Sequence, residues 1–134
     1  MQLRELGLIA GAVSVICCSS WPAAAAMPKR IGECVRTSIQ SIGTRFSDKL
    51  VKPSSPGTDE GTSVVLRNGV VGISYQFVPE VGASRIGDRV ITCLVSLPQD
   101  CPKGDERGKI YKTTNLRTHG SWQLPDSQHL CGGA

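Results

Sequence analysis

Hydrophobic positions along this chain fall into short alternating runs separated by breaks rich in glycine and proline. The clearest run is Val64-Val65-Leu66-Arg67, which leads into Asn68-Gly69; beyond it Val71, Ile73, Tyr75 and Phe77 alternate with Gly72, Ser74 and Gln76. Asn-Gly favours a two-residue type I′ turn, because both central residues of that turn need positive φ. The alternation puts the four large residues on one face and predicts a half-buried hairpin. Arg89 to Leu97 reads as a further strand, with Ile91, Cys93, Val95 and Leu97 on one face and Val90 and Leu94 on the other. Two apolar faces suit a central strand, with Cys93 pointing inward toward a buried bridge.

The remaining segments are shorter. From Cys34 to Phe46 the apolar positions fit either a helix or a strand; β-branched density and the mid-segment Gly43 favour the strand. Lys52 to Gly61 and Pro79 to Asp88 read as loops, and Pro98, Pro102, Gly104 and Gly108 break the chain again. Lys109 to Leu116 reads as a strand leading to a turn at His119-Gly120, and Ser121 to Leu124 pairs back. No segment reads as a convincing helix. The expectation is a mainly β domain, a small antiparallel barrel or sandwich of five to six strands.

The first 26 residues have a different pattern. Arg4 is followed by an almost uncharged apolar stretch from Leu6 to Cys17, then by Pro22 and Ala23-Ala24-Ala25-Ala26. A charged start, a short apolar centre and an A-x-A site are the order of a secretory signal peptide, and the stretch is short of the ~20 residues a membrane span needs. Cleavage is expected after Ala25 or Ala26, leaving one small domain over 27–134, exported to the periplasm or secreted. Lipidation at Cys17 or Cys18 is the minor alternative. It fits poorly, because such a cysteine normally follows a small residue and Ile16 precedes Cys17.

Composition narrows the function classes. With 134 residues the chain is too short for a multidomain enzyme, and 40% hydrophobic with 19% charged residues excludes a fully disordered one. The formal charge is +4, and losing Arg4 with Glu5 leaves it unchanged. That surplus suits weak attraction to anionic envelope polymers or lipid surfaces. No basic stripe with interleaved aromatics appears, which disfavours nucleic acid as a partner.

Only 4% of the chain is aromatic, so the core needs help. Cys34, Cys93, Cys101 and Cys131 form an even set in a short exported domain and read as two structural disulfides. Four cysteines permit three connectivities. The sequence leaves these open, with a preference for Cys93–Cys101 and for Cys34–Cys131 tying the ends. A metal site among them lacks the C-x2-C spacing that zinc favours.

Chemistry-bearing constellations are sparse. Asp126, Ser127 and His129 lie within four residues, a spacing that points side chains apart rather than lining up a triad, and no G-x-S-x-G elbow is present. Capping of local backbone is the plainer reading of Asp126 and Ser127. His119 and His129 share no metal-binding register, and Gly104 to Gly108 lacks the oxygen ladder of a calcium loop. Arg107 and Arg117 suit bidentate anion binding, although ordinary ion pairs are commoner for surface arginines. No cofactor loop, metal set or catalytic residue is therefore expected.

From Ser84 onward the chain resembles an uncharacterised family of small exported proteins of rhizobia-like alphaproteobacteria. The resemblance rests on Ser84-Arg85, Gly87-Asp88, Cys93-Leu94-Val95-Ser96, Cys101-Pro102 and Asn115-Leu116-Arg117-Thr118. It continues through Ser121-Trp122 and Leu124-Pro125-Asp126-Ser127-Gln128-His129 to Cys131-Gly132-Gly133-Ala134. It covers about residues 84–134 well and Cys34 to Arg45 loosely. The resemblance implies export and supplies no catalytic residue.

The function expected from these readings is a non-enzymatic domain binding an unknown envelope or extracellular partner or ligand. Its contact surface is expected from Arg117 through Trp122 and Asp126 to His129, unless Trp122 fills the core. Two alternatives belong to other classes. One is inhibition of a hydrolase such as lysozyme, against which the +4 charge counts, because lysozymes are themselves basic. The other is a small hydrolase using Asp126, Ser127 and His129.

Overall fold

The computed structural model describes residues 25–133, so the expected leader lies, up to residue 24, outside the described residues. Six strands and one helical turn follow in the order β1 (Cys34–Gly43), β2 (Thr62–Leu66), β3 (Val71–Ser74), α1 (Pro79–Gly82), β4 (Arg89–Ser96), β5 (Ile110–Asn115) and β6 (Ser121–Pro125). The strands form one antiparallel sheet in the order β3-β2-β1-β4-β5-β6. Two three-strand meanders are thus joined through β1 and β4, and the sheet curls into a half-barrel that brings β3 against β6. The mainly β expectation holds.

Strand β1 is shared between the two halves. Cys34–Ser38 pair with β4, and after a bend Ile39–Gly43 pair with β2, with a bulge between Ile39 and Ser41. It stops at Gly43, short of Phe46. The Thr44 hydroxyl accepts hydrogen bonds from the backbone N–H groups of Phe46 and Ser47 (3.1 and 3.0 Å), turning the chain and leaving Phe46 exposed.

The inward face carries Ile39, Val64, Leu66, Val70, Val90, Leu94, Tyr111, Trp122 and Leu124, with Val81 of α1 packed against them. Thr92, Thr113 and Asn115 are buried on the same face, and Thr113 donates to Thr92 at 2.8 Å, so neither hydroxyl is left unpaired. The short helix α1 lies in the stretch expected to be loop throughout; Pro79 fixes φ at its first turn, and it packs against β6.

Three expectations are corrected. The hairpin does not bury Val71, Ile73, Tyr75 and Phe77. Its loop holds three residues instead of two, because Gly69 alone among Arg67, Asn68 and Gly69 has positive φ (94°) while the Gly69 N–H bonds the Leu66 carbonyl. One extra loop residue shifts the register by one, and in a strand that exchanges the faces. Val64 now opposes Gly72, and β3 turns its glycine to the core while Val71 and Ile73 face outward, half-buried.

Cys93 also points outward, since Val90, Thr92 and Leu94 take the core face of β4. The disulfides are Cys34–Cys93, across directly opposed positions of β1 and β4, and Cys101–Cys131, between the β4–β5 loop and the C-terminal tail. The preferred Cys93–Cys101 and Cys34–Cys131 pairing is therefore overturned. Strand pairing sets Cys34 beside Cys93, a long-range contact that short sequence spacing does not reveal.

Candidate functional site

The four residues expected to form a contact surface are dispersed. Trp122 is 6% exposed and fills the core beside Thr113, its partner on β5. Asp126 accepts a hydrogen bond from the Gly108 N–H at 2.8 Å, which closes the start of β5 onto the end of β6. His129 is exposed on the tail. Arg117 is committed elsewhere: its Nε and Nη2 donate to the two carboxylate oxygens of Asp88 at 2.7 and 2.8 Å, and Nη2 also donates to the Ala83 carbonyl. Arg107 makes the same bidentate pair with Asp105 at 2.9 and 2.8 Å.

Asp88 is the hub of a polar cluster behind this surface. Besides Arg117, it accepts from the Arg85 N–H and the Asn115 side-chain amide, both at 2.9 Å. Donation by Arg117, then by Asn115 and the Arg85 backbone, holds the Asp88 carboxyl well below the usual carboxylate range against the opposing effect of desolvation. Asn115 is fully buried, and its side chain makes four hydrogen bonds: to Ser84 and Asp88, and from the backbone N–H groups of Arg117 and Thr118. The cluster ties the α1–β4 connection to the β5–β6 turn, where His119 adopts a positive φ of 63°. These groups build structure and leave neither the Arg107 nor the Arg117 fork free for a ligand.

Asp126, Ser127 and His129 are not arranged as a triad. The Asp126 carboxylate serves the Gly108 backbone, and the Ser127 hydroxyl accepts from the His129 backbone N–H at 3.3 Å. No group of three or more His, Cys, Asp or Glu side chains comes together among the described residues, and all four cysteines described are in disulfides.

The structure instead opens a cleft at the end of the half-barrel where Tyr111 reaches the surface. A hollow of about 580 Å³ is lined by Met27, Pro28 and Lys29 of the lead-in, Asn68 of the hairpin turn, Leu94 and Leu97 of β4 and its loop, and Glu106, Lys109 and Tyr111. A smaller hollow of about 150 Å³ continues it past Val70 and Val71 to Asp126. The lead-in is held over the cleft from both ends: Asn68 reaches the Ala26 carbonyl at 3.5 Å, and Glu33 accepts from the Lys29 and Arg30 N–H groups at 2.8 and 3.1 Å.

Tyr111 is 4% exposed overall. Among the described residues Arg45 Nε is the one buried side-chain polar atom without a partner, so the Tyr111 hydroxyl, which no side-chain hydrogen bond engages, opens onto the cleft. Burial, with Asp126 and Glu106 nearby, pushes its pKa up and keeps it a neutral donor. Lys109 and Glu106 pair across the rim at 3.4 Å. The arrangement is an apolar trough with one hydroxyl donor at its floor and a charged pair at its edge, the build of a small-ligand site. Sequence reasoning missed it because its walls come from four distant segments; the alternation of Tyr111, Thr113 and Asn115 was the available signal.

No family model matches the chain, and no curated protein or solved structure does either. Among the described residues no helix is long and apolar enough to cross a membrane.

Proposed function

We propose that the protein is a non-enzymatic binding domain acting outside the cytoplasm, in the periplasm or secreted, and that it takes a small envelope ligand in the cleft over Tyr111. The supporting observation is the cleft itself: about 580 Å³ of mostly apolar wall with one free hydroxyl at its base, a size in the range that small ligands fill. The two disulfides fit an oxidising compartment. The ligand is an apolar molecule carrying one hydrogen-bond acceptor for the Tyr111 hydroxyl.

Native mass spectrometry of the protein purified from its producing cells, followed by solvent extraction, tests this. A bound small molecule should leave in Leu97→Arg, which places a charge in the trough from an exposed position, and should bind more weakly in Tyr111→Phe. A native mass equal to the polypeptide, with an apolar fluorescent probe bound equally by wild type and Leu97→Arg, overturns the reading.

A further inference from the structure

On the outer face of the sheet, one transverse row runs from the residue after β2, across β1 and β4, to the residue after β5. The Arg67 N–H bonds the Ser38 carbonyl, Ser38 opposes Arg89, and the Leu116 N–H bonds the Arg89 carbonyl. Arg36 stands two residues from Ser38 on the same outward face, opposite Ile91. Arg36, Arg67 and Arg89 therefore line one groove of about 380 Å³, with Thr37 and Ser38 at its floor and Leu116 on its far wall. These arginines are 31 and 22 residues apart in sequence order, so no basic cluster shows in the chain.

All three are exposed, and none forms an ion pair with a described residue; the described pairs are Arg107–Asp105, Lys109–Glu106 and Arg117–Asp88. The carboxylate next to Arg89 in the chain, Asp88, is already occupied by Arg117, so it does not neutralise the groove. Three like charges held on a rigid, disulfide-stapled stretch of sheet repel one another unless an anion joins them.

We propose that this groove is a binding site for a phosphate monoester. Three guanidinium groups carry more charge than one carboxylate neutralises, whereas a phosphate monoester brings about two negative charges and three acceptor oxygens. Guanidinium forks suit those oxygens bidentately, and the outward Ser38 hydroxyl, opposite Arg89, supplies a further donor. The apolar wall from Leu116 suits a compact body attached to the phosphate. The site is separate from the Tyr111 cleft and stands whether or not that cleft holds a ligand.

Calorimetric titration of the oxidised protein with inorganic phosphate, a hexose 1-phosphate and dihexanoyl phosphatidic acid tests the site and separates its sources. Saturable binding is expected for at least one, weakened at least tenfold in Arg36→Gln/Arg67→Gln/Arg89→Gln. It should be retained in Lys52→Gln/Lys103→Gln/Lys112→Gln, which removes the same charge elsewhere. A preference for the sugar or lipid phosphate identifies the attached body; equal binding of all three identifies the phosphate group alone. Because the triple arginine variant alters β1, β4 and the β2–β3 loop together, side-chain NMR of the wild type gives a second reading. Phosphate should shift the Nε–H signals of Arg36, Arg67 and Arg89 and leave those of Arg107 and Arg117 in place. Equal loss in the arginine and lysine variants, uniform shifts across all arginines, or no saturable binding overturns the proposal.

Discussion

Asp88 and Asn115 show how a few buried polar groups fix a loop-rich surface. Each hydrogen bond in such a cluster is worth about 0.5–1.5 kcal/mol net, but stripping one member leaves its partners desolvated and unpaired. Asn115→Ala removes four bonds at a fully buried position, and the expected loss, read by urea denaturation, is about 2–4 kcal/mol. Asp88 predicts a pH dependence. Its folded pKa is depressed, so its contribution is complete above the unfolded value of about 3.9 and is lost as pH falls toward the folded one. Melting temperature should therefore drop steeply below about pH 4 in the wild type. In Asp88→Asn it should start lower at pH 7 and drop less, and a variant with an unchanged acid limb would assign that limb to other carboxylates.

At the scale of elements, the strand pattern was largely legible and the faces were not. Alternation located the β2–β3 hairpin and the central β4, but the three-residue loop at Arg67, Asn68 and Gly69 moved the register by one and exchanged inside for outside. Large residues of β3 cannot face inward, because the far edge of the curled sheet already occupies that space. A Cβ placed on Gly72 would lie 3.1 Å from Val64 Cγ1 and 3.2 Å from Leu124 Cδ1. This close approach lets β3 meet β6. Gly72→Val should cost about 1–3 kcal/mol by overpacking, whereas Ile73→Thr on the outward face should cost less than about 1 kcal/mol. If chemical denaturation found Ile73 the costlier position, the inward face of β3 would be misassigned. The arginine groove was hidden for a related reason: its residues become neighbours only through the β2-β1-β4 strand order, and alternation within one strand carries no information about that order.

Across the whole molecule, the two disulfides hold different things. Cys34–Cys93 joins the two meanders at their central strands, across 59 residues of sequence, while Cys101–Cys131 ties the β4–β5 loop to the tail across 30. Their existence was legible from an even cysteine count; their pairing depended on the strand order. Alkylation should label none of these four cysteines before reduction and all four after it. Loop-closure entropy suggests a loss of about 4 kcal/mol when either bridge is removed, but the consequences should differ in place. Without Cys34–Cys93 the whole sheet should exchange its amide hydrogens faster, because the paired bridge joins the halves of one cooperative unit. Without Cys101–Cys131, by contrast, the six strands keep their pairing, and faster exchange should be confined to residues 97–109 and the tail. That loop carries Leu97, Glu106 and Lys109, three walls of the Tyr111 cleft, and its attachment to the tail through Arg107, Asp105 and Gly132 would loosen with the bridge. Cys101→Ser/Cys131→Ser should therefore lose cleft binding while remaining folded and while keeping phosphate affinity at Arg36, Arg67 and Arg89. Cys34→Ser/Cys93→Ser should weaken both sites together. Hydrogen exchange and ligand titration on the two variants check this. Equal behaviour of the two sites in Cys101→Ser/Cys131→Ser would mean that the cleft and the groove are coupled through the sheet.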